Sequence, residues 1–405
     1  MAAACGGGGG QASANASPAS PAPAGLPSFY AVPAGVSAKA AGSLLKSEAV
    51  AVPGVDGIAY RVMYVSTTEQ GRSAAVTGVV YVPRSAPPPG GFPVVSWAHG
   101  TNGMADSCAP SLAPDSAVLP PAGLNLALDR GWEVVASDYQ GEGTPPHLLP
   151  YLVGALAGRN TIDIVRAARQ LPAAHASRTY LVWGHSEGGQ TAMFAWQLGP
   201  TYGSQSGLHL VGVVAGAPPS QFAFIYQALV SSPFRVYLLM AAVGFNEAYG
   251  DATAPLDQVL TPTAMSLVPQ LHSGCLGTLT SLADAYPINQ LVKADPYTVP
   301  AWKTLLQKND PESFSSANDV PLLIIQGGSD EQIPVVSTQL LAQHLCGLGQ
   351  DLERWIYPGQ SHAGVIVPSA PDMVHWMADR FAGDPNPDPY APSGEAGVQT
   401  TTCPS

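Results

Sequence analysis

The sequence predicts an α/β fold with a mostly parallel central sheet and a helical cap inserted into it. Three observations carry this. From about residue 59 apolar runs of strand length alternate with helical segments. Several runs, such as 93–97 and 322–325, are continuously apolar, as strands covered on both faces require. The stretch 218–317 breaks the alternation, and a simple crossover between parallel strands needs only about a dozen residues.

In chain order, strands are expected at 59–67, 75–82, 92–97, 132–137, 179–183, 208–215, 320–326 and 352–357. Helices are expected at 121–130, 161–171, 187–198, 335–346 and 371–381. Asn160 or Thr161 is a suitable N-cap for the second helix, whose Ile162, Val165 and Ala168 follow a helical period. Within 218–317 the helices are placed at 222–230, 234–244 and 278–292. The resulting organisation is a tether over 1–27, core over 28–217, the cap over 218–317, core again over 318–383, and a tail over 384–405.

The 405 residues include 43 Gly and 40 Pro but only 16 basic and 28 acidic side chains. Eleven per cent charged residues, against roughly 25% in ordinary domains, excludes charged disorder and coiled coil. A net charge of −12 repels phosphate backbones, so no nucleic-acid partner is expected. No apolar run reaches the roughly 18 residues of a membrane span.

Residues 1–27 carry no charge and almost no large apolar side chain, which predicts a disordered tether. Ala2, Ala3 and Ala4 lead into Cys5 without a basic or long apolar segment before them. This looks like the end of a bacterial lipoprotein signal, making Cys5 a candidate membrane tether and the exterior or cell envelope the expected location. Cys108, Cys275, Cys346 and Cys403 remain; four cysteines permit three pairings, and no spacing resembles a zinc site.

The strongest motif is Gly184-His185-Ser186-Glu187-Gly188-Gly189, between an apolar strand and a helical run. This is the G-x-S-x-G elbow of α/β-hydrolases in its strand-turn-helix context. The glycines are needed because the turn is tight, and Ser186 is lifted above the sheet edge at a helix start that favours negative charge. A serine nucleophile requires a base and an acid, in the order Ser, Asp, His for this fold. Asp330 follows the seventh strand in Gly327-Gly328-Ser329-Asp330-Glu331-Gln332, with Glu331 as the rival acid. His362 follows the eighth in Pro358-Gly359-Gln360-Ser361-His362. Among nine histidines it alone occupies the position after the last strand; His185, in the elbow, is expected to pack locally.

Acyl transfer also needs donors aimed at an oxyanion. Glu187 supplies one backbone N–H. The loop Ala98-His99-Gly100-Thr101-Asn102-Gly103 is placed to supply the second, from Thr101 or, as second choice, Gly100, with His99 anchoring the loop. Asp138-Tyr139-Gln140-Gly141-Glu142-Gly143 follows another strand and is expected to wall the pocket.

The ordered set WAHGTNG, SDYQGEGT, WGHSEGG, an inserted cap, GGSDEQIP and PGQSHAG resembles the bacterial branch of the secretory lipase family over about residues 28–403. The resemblance implies a lipase A-like α/β-hydrolase whose Ser186, Asp330 and His362 cleave carboxylic esters beneath a helical lid. It also implies the pairs Cys108–Cys275 and Cys346–Cys403. Fungal members lack the HGT sequence, so Thr101 rests on its position in this chain.

The expected reaction is ester hydrolysis through an acyl-enzyme, with no metal or organic cofactor. The apolar, charge-poor cap points to a hydrophobic small-molecule or lipid ester, acylglycerols included. A serine peptidase or amidase on the same fold, and a non-catalytic cell-surface binding protein, are the alternatives.

Overall fold

The computed structural model describes residues 17–114, 121–383, 392 and 397–403. One ten-stranded sheet runs through them in the order β1-β2-β3-β5-β4-β6-β7-β8-β9-β10. The strands are β1 Leu44–Val50, β2 Gly57–Thr67, β3 Ser73–Pro83, β4 Phe92–Ala98, β5 Glu133–Ser137, β6 Ala176–His185, β7 His209–Gly216, β8 Leu322–Gly327, β9 Leu352–Tyr357 and β10 Gln399–Thr402. From β5 through β9 all neighbours are parallel, whereas β1, β2, β3 and β10 join antiparallel.

The continuous apolar runs are explained by cover on both faces. Val80, Val94, Val182, Val213 and Ile324 point to one side, against Ile162 and Val165 of α2 (Gly154–Ala168), Trp196 of α3 (Glu187–Leu198) and Leu341 of α9 (Val335–Gly347). The next residue along each strand, such as Val95, Trp183, Val214 and Ile325, points to the other side, against Leu124 of α1 (Pro121–Asp129) and Trp376 of α10 (Ile366–Ala382).

Between β7 and β8 the chain forms α4 Phe222–Leu229, α5 Val236–Tyr249, α6 Pro262–Leu271, α7 Leu276–Asp284 and α8 Pro300–Asn309. These share one apolar core with Tyr139, Leu148, Tyr151 and Leu156, which follow β5, so this insertion sits on the carboxyl side of the sheet. Its neck is closed by Asp310, whose buried carboxylate accepts the N–H groups of Gln221 at 3.0 Å and Phe222 at 2.5 Å. Among the described residues no helix is long and apolar enough to cross a membrane.

Several details differ from expectation. Strands β1 (LLKSEAV) and β10 (QTTT) have no apolar run and owe their place to backbone pairing with β2 and β9. Helix α2 begins at Gly154, so Asn160 and Thr161 lie inside it rather than capping it. Asn160 instead donates to Ser66 Oγ at 2.7 Å and accepts the Gln140 N–H at 2.8 Å, and Thr161 bonds back to the Ala157 carbonyl. Helix α7 ends at Asp284, ahead of Pro287, and α10 begins at Ile366 with Pro371 inside it. The expected disordered tether fails for its second part: Ser20 pairs with Val32, and Ala22 and Leu26 pack beside Phe29 and Tyr30. Cys5 and the rest of 1–16 lie outside the described residues.

Candidate active site

Ser186 occupies the turn between β6 and α3 with φ 61° and ψ −123°, a conformation that stores strain of about 1–3 kcal/mol. The turn is possible because the backbone passes at contact distance on both sides. A Cβ on Gly184 would stand 2.0 Å from the Gly188 carbonyl oxygen, and one on Gly188 would stand 1.9 Å from that of Ala98. The Ser186 N–H is tied to Gly216 O at 2.9 Å. The residue lines an open, largely apolar cavity.

Asp330 follows β8 and is fully buried at its side chain. One carboxylate oxygen accepts the N–H groups of Gln332 at 2.9 Å and Ile333 at 2.8 Å. The other faces His362 Nδ1 at 2.8 Å. Burial pushes the Asp330 pKa up, but the His362 hydrogen bond and charge, with the two backbone donors, hold it below the ordinary carboxyl range. It is therefore an ionised partner for the imidazole.

His362, in the loop after β9, is buried, and among the described residues its Nε2 has no hydrogen-bond partner. That nitrogen is the one left for a substrate or nucleophile proton. Glu331, the rival acid, has another place: its Oε2 accepts the His362 backbone N–H at 3.0 Å, which fixes the loop rather than the ring. His185 packs against the His362 ring itself, a contact that sequence reasoning missed because it joins elements far apart in the chain.

The expected oxyanion loop lies beside Ser186. A Cβ on Gly100 would be 3.7 Å from Ser186 Cβ and 3.2 Å from His185 O. Thr101 Oγ1 pairs with the Tyr151 hydroxyl at 2.9 Å, and His99 anchors the loop by pairing with Gly100 O at 2.8 Å and stacking on Tyr139 at 4.2 Å. Glu187 opens α3, where first-turn N–H groups lack intrahelical acceptors.

The carboxylates expected to wall the pocket do not line the cavity. Asp138 is buried and taken up by Thr77 and Ser111. Glu142 is fully buried with Oε2 3.4 Å from His99 Nε2, and burial raises its pKa well above normal. The Glu187 carboxyl is buried too. Burial and the nearby Glu142 push its pKa up to about 8, against the opposing pull of His99 and Thr101. A cluster of buried acids with raised pKa values thus lies beside His99 and Thr101 of the 98–103 loop. The acidity of these segments was legible in the sequence; their burial was not.

The cysteines pair as Cys108–Cys275 and Cys346–Cys403, with Cα atoms 5.5 and 5.1 Å apart. The first bond joins the loop after β4 to the insertion. The second joins α9 to the residue after β10.

Comparison with known proteins bears on the family and the fold. The chain is 23% identical to Lipase 6 of Candida albicans over 389 residues, covering 88% of this chain and 81% of that protein. It is 25% identical over 389 residues to a Mycobacterium tuberculosis protein named probable inactive lipase, covering 89% and 83%. The closed-state structure of Candida antarctica lipase A superposes with a TM-score of 0.76 at 21% identity, covering 92% of this chain and 90% of that one. A rice cell wall degrading esterase, LipA from Xanthomonas oryzae, superposes with a TM-score of 0.68 at 20% identity, covering 84% and 98%. The α/β-hydrolase fold is shared by these structures. The secretory lipase family model matches residues 122–388, and the chain belongs to that family of ester hydrolases.

Proposed function

We propose that the protein hydrolyses carboxylic esters of hydrophobic acyl groups through an acyl-enzyme on Ser186. The observation that carries this is the His362–Asp330 pair, with a free buried Nε2, packed on the ring of His185, the residue that precedes the strained Ser186 at the wall of an apolar cavity. His362 takes the Ser186 hydroxyl proton as the oxygen attacks the ester carbonyl. Asp330 fixes the tautomer and stabilises the imidazolium. The backbone N–H groups of Thr101 and Glu187 receive the oxyanion. His362 then protonates the leaving alcohol, and a water activated by the same nitrogen cleaves the acyl-enzyme.

Substrate class follows from the cavity. Its wall is built from Phe222, Ile225, Leu229, Phe245 and Trp302, with the hydroxyls of Tyr226, Tyr237 and Tyr297 as scattered polar groups. Such a wall gains from alkyl chain burial and offers little to a peptide backbone, which favours a lipid or other acyl ester over an amide. Secretion follows from the family and fits two disulfides, which persist in oxidising surroundings. The placement of Cys5 directly after three alanines and before five glycines supports a lipid tether there.

A fluorophosphonate probe tests the chemistry: wild-type protein becomes labelled on Ser186 and Ser186→Ala does not. A protein that folds, stays unlabelled and turns over no p-nitrophenyl ester would overturn the reading. A p-nitroanilide peptide assayed in parallel separates esterase from peptidase.

A further inference from the structure

The insertion meets the oxyanion loop through main-chain contacts at Asn102 and Gly103. The Leu276 N–H, at the first position of α7, donates to Asn102 O at 2.8 Å. Gly103 and Cys275 form an antiparallel bridge, and the Cys108–Cys275 disulfide closes over it. The approach is as tight as backbone permits. Gly103 has φ +143°, and a Cβ there would lie 2.6 Å from Cys108 Sγ and 2.7 Å from the Cys275 Cα.

The other parts of the loop have different supports. His99, Tyr139 and Tyr151, none of them part of the insertion, hold residues 99–101. Farther out, Met104 O accepts the Leu149 N–H at 2.9 Å, and Ala105 pairs with Leu148. Between these anchors, Asn102 and Gly103 take their main-chain position from Cys275 and Leu276. Neither Cys275 nor Leu276 lines the acyl cavity. A contact with cap backbone is therefore built next to Thr101 and away from the acyl wall.

We infer that Cys275 and Leu276 are positioning residues that clamp the oxyanion loop, so that the cap governs transition-state stabilisation as well as covering the acyl chain. The inference rests on the esterase reading above. An oxyanion donor works only when held at the spot where charge develops, and a displacement near 1 Å costs on the order of 100-fold in rate. Releasing the clamp leaves the acyl wall intact, so it lowers kcat while KM stays nearly constant.

Two variants release it differently. Cys108→Ser with Cys275→Ser removes the covalent tie. Leu276→Pro removes the N–H donor and sets the proline Cδ against Asn102 O, which pushes the loop off while keeping the disulfide; proline suits the first helical position, and Cys275 already has the extended backbone that a following proline requires. Cys346→Ser with Cys403→Ser serves as the stability control, because that bond lies elsewhere. The assay is steady-state hydrolysis of p-nitrophenyl butyrate at a temperature where circular dichroism shows each protein folded. We expect kcat to fall about 10- to 100-fold in both clamp variants, with KM within about twofold, and kcat to hold in the control. If the disulfide variant does not fold, Leu276→Pro decides. A kcat within twofold of wild type in a folded clamp variant overturns the clamp while the esterase reading stands. A wild type with neither turnover nor Ser186 labelling overturns both.

Discussion

The imidazole of His185 lies against that of His362, with ring centroids 4.7 Å apart and planes tilted by 50°. Burial, reinforced by the adjacent His362, pushes the His185 pKa down to about 3, so its ring stays neutral. His185 then acts as a flat support beside His362. Truncating it by His185→Ala should lower kcat about tenfold by loosening His362, and His185→Phe should restore most of the loss. Kinetics on a p-nitrophenyl ester distinguish this from a role for the ring nitrogens, in which Phe would rescue nothing.

The two acids of the 330–331 turn should separate sharply. Asp330→Asn removes the charge that orients His362 and should reduce kcat on the order of 10³- to 10⁴-fold. Glu331→Ala loses one backbone contact to His362 and should cost about tenfold or less. Stability carries a second signature. Because the folded Asp330 pKa is depressed, its contribution is present above the ordinary carboxyl range and disappears as pH falls through the folded value. The thermal stability gap between wild type and Asp330→Asn should therefore narrow between pH 7 and pH 3.

Glu187 has the opposite sign. Its folded pKa is raised to about 8, so the stability associated with its protonated form is full below the ordinary carboxyl range and is lost as pH rises through 8. Glu187→Gln cannot ionise, and its melting temperature relative to wild type should climb from pH 5 to pH 9. Ionisation also places a negative charge beside the developing oxyanion. Wild-type kcat/KM should descend above about pH 8, and the descending limb should vanish in Glu187→Gln; identical pH profiles would exclude Glu187 as its source.

Cavity shape should be read in acyl-chain preference. Each methylene buried against the apolar wall is worth about 0.8 kcal/mol, so kcat/KM should rise roughly fourfold per carbon until the cavity is full. Ala241 lines that wall on α5. Ala241→Phe should leave short-chain p-nitrophenyl esters nearly unaffected and raise KM for long ones; equal effects on both would place the chain elsewhere.

Much of the site was legible because each part is local in sequence. The Ser186 elbow, the Asp330 loop and the His362 loop each follow their own apolar strand, and strand direction alone brings them to one edge. The contacts that refine them are not local. His185 against His362, Glu331 on the His362 backbone and Cys275 against Gly103 are set by the way separate loops meet, which no periodicity encodes. The same holds for the fold. The eight apolar strands were readable, while β1 and β10 were hidden because a half-exposed or polar strand is specified by its neighbour's hydrogen bonds. Asn160 looked like a cap because its side chain bonds backbone readily; buried against Ser66 and Gln140, it does so inside a helix.

The strand β10 settles what the sheet presents at its far border. Without it, β9 would offer a row of unpaired backbone groups flanked by Trp355 and Ile356, a template on which a second molecule could extend the ladder. With it, the border is four exposed polar residues, pinned by the bond from Cys403 to Cys346. A short polar edge is a poorer template than β9 would be, and the second disulfide holds it in place. Loss of that bond should appear as aggregation on heating before it appears as lost catalysis.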